Sequence, residues 1–77
     1  MSLLVSDDIK SQAREMYKSG TIKCFAVVDV ETAEISKLLY NSSDVYRFMA
    51  IHNPKDETKF VSSIVSVADV IDGRCEI

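Results

Sequence analysis

Residues 21–30 read TIKCFAVVDV, and the fold turns on them. Val, Ile, Thr and Phe fit the pleated, half-buried surface of a strand. Alternation divides the middle of the stretch into two apolar sides, Cys24, Ala26 and Val28 on one and Phe25 and Val27 on the other. A strand apolar on both faces sits inside a sheet rather than at its rim. Residues 21–30 therefore predict the central strand of the fold.

Upstream, the apolar pattern changes period. Ile9, Ala13, Met16 and Tyr17 recur at i, i+4, i+7 and i+8, one stripe of an α-helix. Ser6 or Asp7 offers a side-chain oxygen to an orphan N–H at the helix start. Asp7 and Asp8 stand at the positive end of its dipole, and Gly20 can close it in the left-handed conformation.

Downstream, residues 33–40 admit two readings. Ile35, Leu38 and Leu39 are spaced as on a helix, yet the segment can also return along the central strand as a hairpin turning at residues 29–32. The hairpin is the preferred reading, and without a glycine for a two-residue turn it needs a longer one. Asn41, Ser42, Ser43 and Asp44 then break the chain and start a short second helix, on which Val45, Phe48, Met49 and His52 share a face. Asn53-Pro54 ends it, because the residue before proline is pushed out of the α region.

Residues 59–71 are the least determined. Phe60, Ile64, Val67 and Ile71 fit a helix with Asn53 as cap and Pro54 at its first position, whereas the many β-branched residues fit a strand. A mixed reading makes 59–65 a strand and 67–71 a short helical turn. In it Ser66 and Asp69 hold capping-box spacing, Asp72-Gly73 turns, and 74–77 form a closing strand. The class these elements define is α+β, a small single domain over residues 1–77. It has an N-terminal amphipathic helix, a three- to four-stranded mainly antiparallel sheet, and one or two short helices.

A chain of 77 residues buries only about 60–65% of the surface its unfolded form exposes. Domains of this size gain stability from a disulfide, a metal or a second subunit. Two cysteines make no disulfide framework and no metal-ligand cluster stands out, so a homo-oligomer, most simply a homodimer, is expected. The 47% apolar content is consistent with that expectation. Nine basic against 12 acidic residues give −3, which argues against a protein whose whole surface grips nucleic acid. The longest apolar runs, 24–28 and 48–51, are far too short for a membrane span. Residues 1–5 carry neither the basic nor the apolar region of an export signal. The expected setting is cytoplasmic, away from membranes, with Cys24 and Cys75 as free thiols.

Side chains able to do chemistry are few. His52 is the one histidine, and a nucleophilic pair would need Cys24 or Cys75 beside it together with a third, orienting group. Cys24 reads as packed within the central strand, and Cys75 as the more exposed thiol. No second histidine exists to share a zinc-type ion with His52. The carboxylate pairs Asp7/Asp8, Asp56/Glu57 and Asp69/Asp72 fall at helix starts or turns, where acidic side chains cap and solvate. There is no glycine-rich phosphate loop, nucleophile elbow, zinc spacing or dinucleotide fingerprint. No enzyme, cofactor or metal is expected.

What remains is a small non-catalytic protein-interaction module that self-associates and binds or modulates a macromolecular partner, as inhibitor or adaptor. Tyr40, Tyr46, Phe60 and Ile64 are its candidate surface, with Phe48 and Met49 as further anchors that can equally serve the core. The alternative is nucleic-acid binding through Lys10, Arg14 and Lys18, a basic ridge at i, i+4 and i+8 that could neutralise phosphates. Glu15 interrupts that ridge, and the acidic residues scattered from Asp29 to Glu76 are too few for a DNA-mimicking array.

Overall fold

The computed structural model describes residues 2–53 and 58–76. Six elements follow in order: α1 (Asp7–Lys18), β1 (Lys23–Asp29), β2 (Ile35–Leu39), α2 (Ser42–His52), β3 (Phe60–Ser66) and α3 (Val67–Asp72). The strands form one antiparallel sheet in the order β2-β1-β3, so the strand with two apolar faces lies between the other two. This is the α+β architecture that the sequence pattern implies.

Each face of β1 builds its own core. Cys24, Ala26 and Val28 pack with Leu38 and Val65 against Ile9, Ala13 and Met16 of α1 and Val67 and Val70 of α3. On the other face, Val27 packs with Leu39 and with Val45 of α2, while Phe25, Phe48, Met49 and Phe60 close round them. The sheet is thus covered by α1 and α3 on one side and by α2 on the other. Val27, Val28, Ile35, Val67 and Val70 are fully buried, each contributing about 1.5–3 kcal/mol.

Local chemistry sets the boundaries. Ser6 Oγ accepts a hydrogen bond from the Ile9 N–H at 3.3 Å and caps α1, and Gly20 follows it at φ +88°. Tyr17 leaves the expected stripe and is exposed, because it lies about 80° round the helix from Ile9, at the margin of the buried face. At the start of α2, Asn41 Oδ1 accepts from the Asp44 N–H at 3.0 Å.

The helical spacing of residues 33–40 has a specific cause. Val27 lies opposite Lys37 but Val28 lies opposite Ile35, so Ser36 is an extra residue on β2. Such a bulge breaks strict alternation. It turns Ile35 to the same side as Leu38, giving an i, i+3 pair without a helix. The hairpin turn is longer than two residues, as the lack of glycine requires. Asp29 Oδ1 accepts from the N–H groups of Glu31 (2.9 Å) and Thr32 (3.4 Å), and Ala33 takes a left-handed φ of +60°.

In residues 59–71 the mixed reading matches: a strand runs directly into a short helix that Gly73 ends at φ +70°. Three details differ. Ser66 makes no side-chain cap bond. The expected closing strand at 74–77 reduces to one bridge between Glu76 and Ser2, and Ile77 lies outside the described residues. The Leu3 N–H donates to the Cys75 carbonyl at 2.8 Å within that bridge, but the next residue, Leu4, bonds instead to residues 33 and 35. Asn53, expected also as the cap of a following helix, instead ends α2. Pro54 and the Asp56/Glu57 pair lie outside the described residues.

Candidate functional site

A three-stranded sheet has two rims, each a row of backbone N–H and C=O groups without a strand beside it. On β2, Leu4 takes up part of that row, donating to the Ala33 carbonyl (2.9 Å) and accepting from the Ile35 N–H (3.0 Å). The bulge at Ser36 and the charge of Lys37 blunt the rest.

On β3 the phase of the ladder is fixed by the Val30 N–H, which donates to the Lys59 carbonyl at 3.1 Å. Residues opposed in an antiparallel pair alternate between bonding each other and turning away. Val61, Ser63 and Val65 therefore bond to β1, and Phe60, Ser62, Ile64 and Ser66 direct their backbone groups outward. At Phe60 those groups are satisfied by one side chain. Asn53 Oδ1 accepts from the N–H of Phe60 (2.8 Å) and of Lys59 (3.0 Å), and Asn53 Nδ2 donates to the Phe60 carbonyl (3.0 Å). The carboxamide imitates a neighbouring strand for a single residue. Beyond it, no backbone group among the described residues meets Ser62 or Ile64 on the outer side.

Side chains add to this rim. The strand reads FVSSIVS, with no charge, and Ile64 is 64% exposed. Asp44, Arg47, Phe48 and Ile51 of α2, with His52, line a groove of about 420 Å³ over Lys37 and Leu39, so that flank of α2 faces β2. Tyr46, Met49 and Asn53, at i, i+3 and i+7, form the other flank, and the Asn53 bonds to Phe60 show that it faces β3. Tyr46, 77% exposed, thus shares the β3 side with Ile64.

The four candidate surface residues are divided by the fold. Tyr46 and Ile64 are both exposed on the side of the sheet that α2 covers. Phe60 is half-buried and closes a core there, its ring edge-on to Phe48 at 5.3 Å. Tyr40 is exposed on the opposite side of the sheet, beside Gln12, Glu15 and Met16 of α1. The basic ridge is also divided. Lys18 Nζ pairs with Glu15 at 3.6 Å, and the end of Lys10 reaches over Gly73 behind α3, leaving Arg14 between them.

The thiols and the imidazole are not brought together. Cys24 and Cys75 lie in the core under α1 and α3, whereas His52 stacks on Phe48 across the sheet, ring centres 4.2 Å apart. The expectation that Cys75 is exposed is overturned: it is 3% exposed, because the Leu3 segment bonds across it and its side chain joins the α1/α3 core. Burial pushes both thiols above their ordinary value, with nearby Cys75 adding to the effect at Cys24 and Asp69 at Cys75. Among the described residues no three His, Cys, Asp or Glu side chains gather as metal ligands, and no helix is long and apolar enough to cross a membrane.

Asn53 is the residue whose role the sequence does not reveal. Its partner lies seven residues on, across the 54–57 segment, and an Asn before a proline signals only a helix end. No protein-family model matches the chain, and no curated protein or solved structure is significantly similar to it.

Proposed function

We propose that this chain is a small non-catalytic interaction module that self-associates and binds or modulates a macromolecular partner through its β3 side. One observation carries the reading: an uncharged rim with outward backbone groups at Ser62 and Ile64, flanked by the exposed Ile64 and Tyr46 side chains. Strand addition to such a rim draws affinity from main-chain hydrogen bonds and specificity from alternate side chains. Stable monomers blunt their rims with charge, proline or bulges, and Phe60–Ser66 has none of these. The marginal core of a 77-residue chain favours the same outcome, since a second subunit adds buried surface.

Sedimentation equilibrium over a wide concentration range tests the reading. The expected result is a mass that rises from one chain towards two. A single-chain mass at every concentration removes self-association from the proposal.

A further inference from the structure

We propose that the occupant of the β3 rim is a second copy of β3, antiparallel across a two-fold axis centred on Ile64, joining two three-stranded sheets into one. This rests on the self-associating reading above and adds the surface and the register.

The register follows by exclusion. Only residues that turn their backbone groups outward can exchange bonds across the rim, which restricts pairing to Phe60, Ser62, Ile64 and Ser66. Opposing Ser62 with Ile64 sets Ser66 of the second copy against Phe60, where the Asn53 carboxamide already sits. Opposing Ser62 with itself sets Ile64 against Phe60 and meets the same obstacle. Opposing Ile64 with itself sets Ser62 against Ser66, and each strand then ends before it reaches Asn53, because the chain turns into α3 after Ser66. That register uses both open residues and leaves the Asn53 bonds intact.

Charge and shape fit a second copy. Two chains of −3 repel one another, and an uncharged strand is where they can approach. The two Ile64 side chains, each 64% exposed, come to lie side by side on one face. The same register brings the Lys59 end of one copy beside the α3 start of the other, where Asp69 is exposed. Symmetry repeats this pairing of opposite charges at both ends of the joint.

A mixed sample of isotope-labelled and unlabelled chains reads the register directly. The expected contact is between the Hα of Ser63 and the Hα of Val65 in the second copy, a non-hydrogen-bonded pair with Cα atoms about 4.5 Å apart. A contact of Ser63 with Ser63 instead overturns the register. Ile64→Pro removes the N–H of the central pair at a rim position where proline leaves the β1 bonds untouched. It should raise the dimer dissociation constant at least about tenfold, roughly 1.4 kcal/mol. Ile64→Lys keeps the backbone, sets like charges opposite each other, and should do the same if Ile64→Pro fails to fold. Lys59→Glu should weaken the dimer, and Lys59→Glu with Asp69→Lys should restore it. If the wild-type chain dimerises and both Ile64 variants dimerise equally well, the β3 joint is overturned while self-association stands. If the wild type never dimerises, both fall.

Discussion

Along β2 the rim is closed by residues brought from far away in sequence: Leu4 bonds to residues 33 and 35, Ser36 bulges, and Lys37 places a charge beside it. Along β3, among the described residues, the rim is closed at Phe60 alone, by Asn53, and Ser62 and Ile64 face outward with uncharged neighbours. Both strands bond to the same side-by-side partner, β1, so ladder bonding does not distinguish them. The difference is what each strand meets on its outer side. A small sheet can therefore reserve one rim for its own stability and leave the other for a partner.

Two isoleucines give the largest contrast. Ile35 on β2 is 1% exposed and packs in the α1/α3 core. Ile35→Ala should cost about 2–5 kcal/mol, as buried large-to-small changes do. Ile64→Ala on β3 should change monomer stability by less than about 0.5 kcal/mol, as at an exposed site. Urea unfolding of both variants at a concentration where the chain is monomeric measures the difference. Equal losses would mean that the two rims are equally integrated into the fold.

Removing the Asn53 closure on β3 should sharpen the contrast. Asn53→Ala leaves the Phe60 N–H and C=O and the Lys59 N–H without their partner. A loss of about 1–3 kcal/mol is expected where such groups are half-buried. The joint centred on Ile64 ends before Phe60, so association should stay unchanged as stability falls. A change in association in either direction would mean that the joint reaches Phe60, and would overturn the register. A smaller effect belongs to the β2 side. Asp29→Ala removes the acceptor of two turn N–H groups and should cost about 1 kcal/mol, with no change in association.

Much of the fold could be read along the chain because its signals are local. Ser6, Gly20 and Asn41 act within a turn of where they stand, and the two apolar sides of residues 21–30 fix β1 at the centre. What could not be read depends on contacts distant in sequence. The bulge at Ser36 gives Ile35 and Leu38 a helix-like spacing, and only pairing with β1 reveals the strand. Cys75 reads as the more exposed thiol, yet Leu3, 72 positions earlier, bonds across it. Tyr46 and Ile64 carry no shared motif. They come to one side only because α2 crosses the sheet towards β3 and turns the Tyr46–Asn53 flank that way.

The thiols give the smallest effect, absent at neutral pH, and they report on the closed side of the comparison. Cys24 and Cys75 lie beneath α1 and α3, with the Cys75 carbonyl holding the Leu3 N–H. Burial raises both thiols, so the folded chain holds their protons more tightly than the unfolded chain does. Their contribution is complete below the unfolded thiol value, roughly 8.5, and is lost as pH rises through the higher folded values. The urea midpoint should therefore be flat with respect to these groups from pH 7 to 8 and fall above about pH 9. The control for other effects of alkaline solution is the Cys24→Ala/Cys75→Ala chain, whose decline should be shallower. The same burial predicts slow alkylation of both thiols at pH 7.5, since only the thiolate reacts. Leu3→Ala, which loosens the segment over Cys75, should speed alkylation of Cys75 more than that of Cys24. Equal acceleration of both would mean that the closed side opens as one unit, with the Leu3 segment acting as no separate cover.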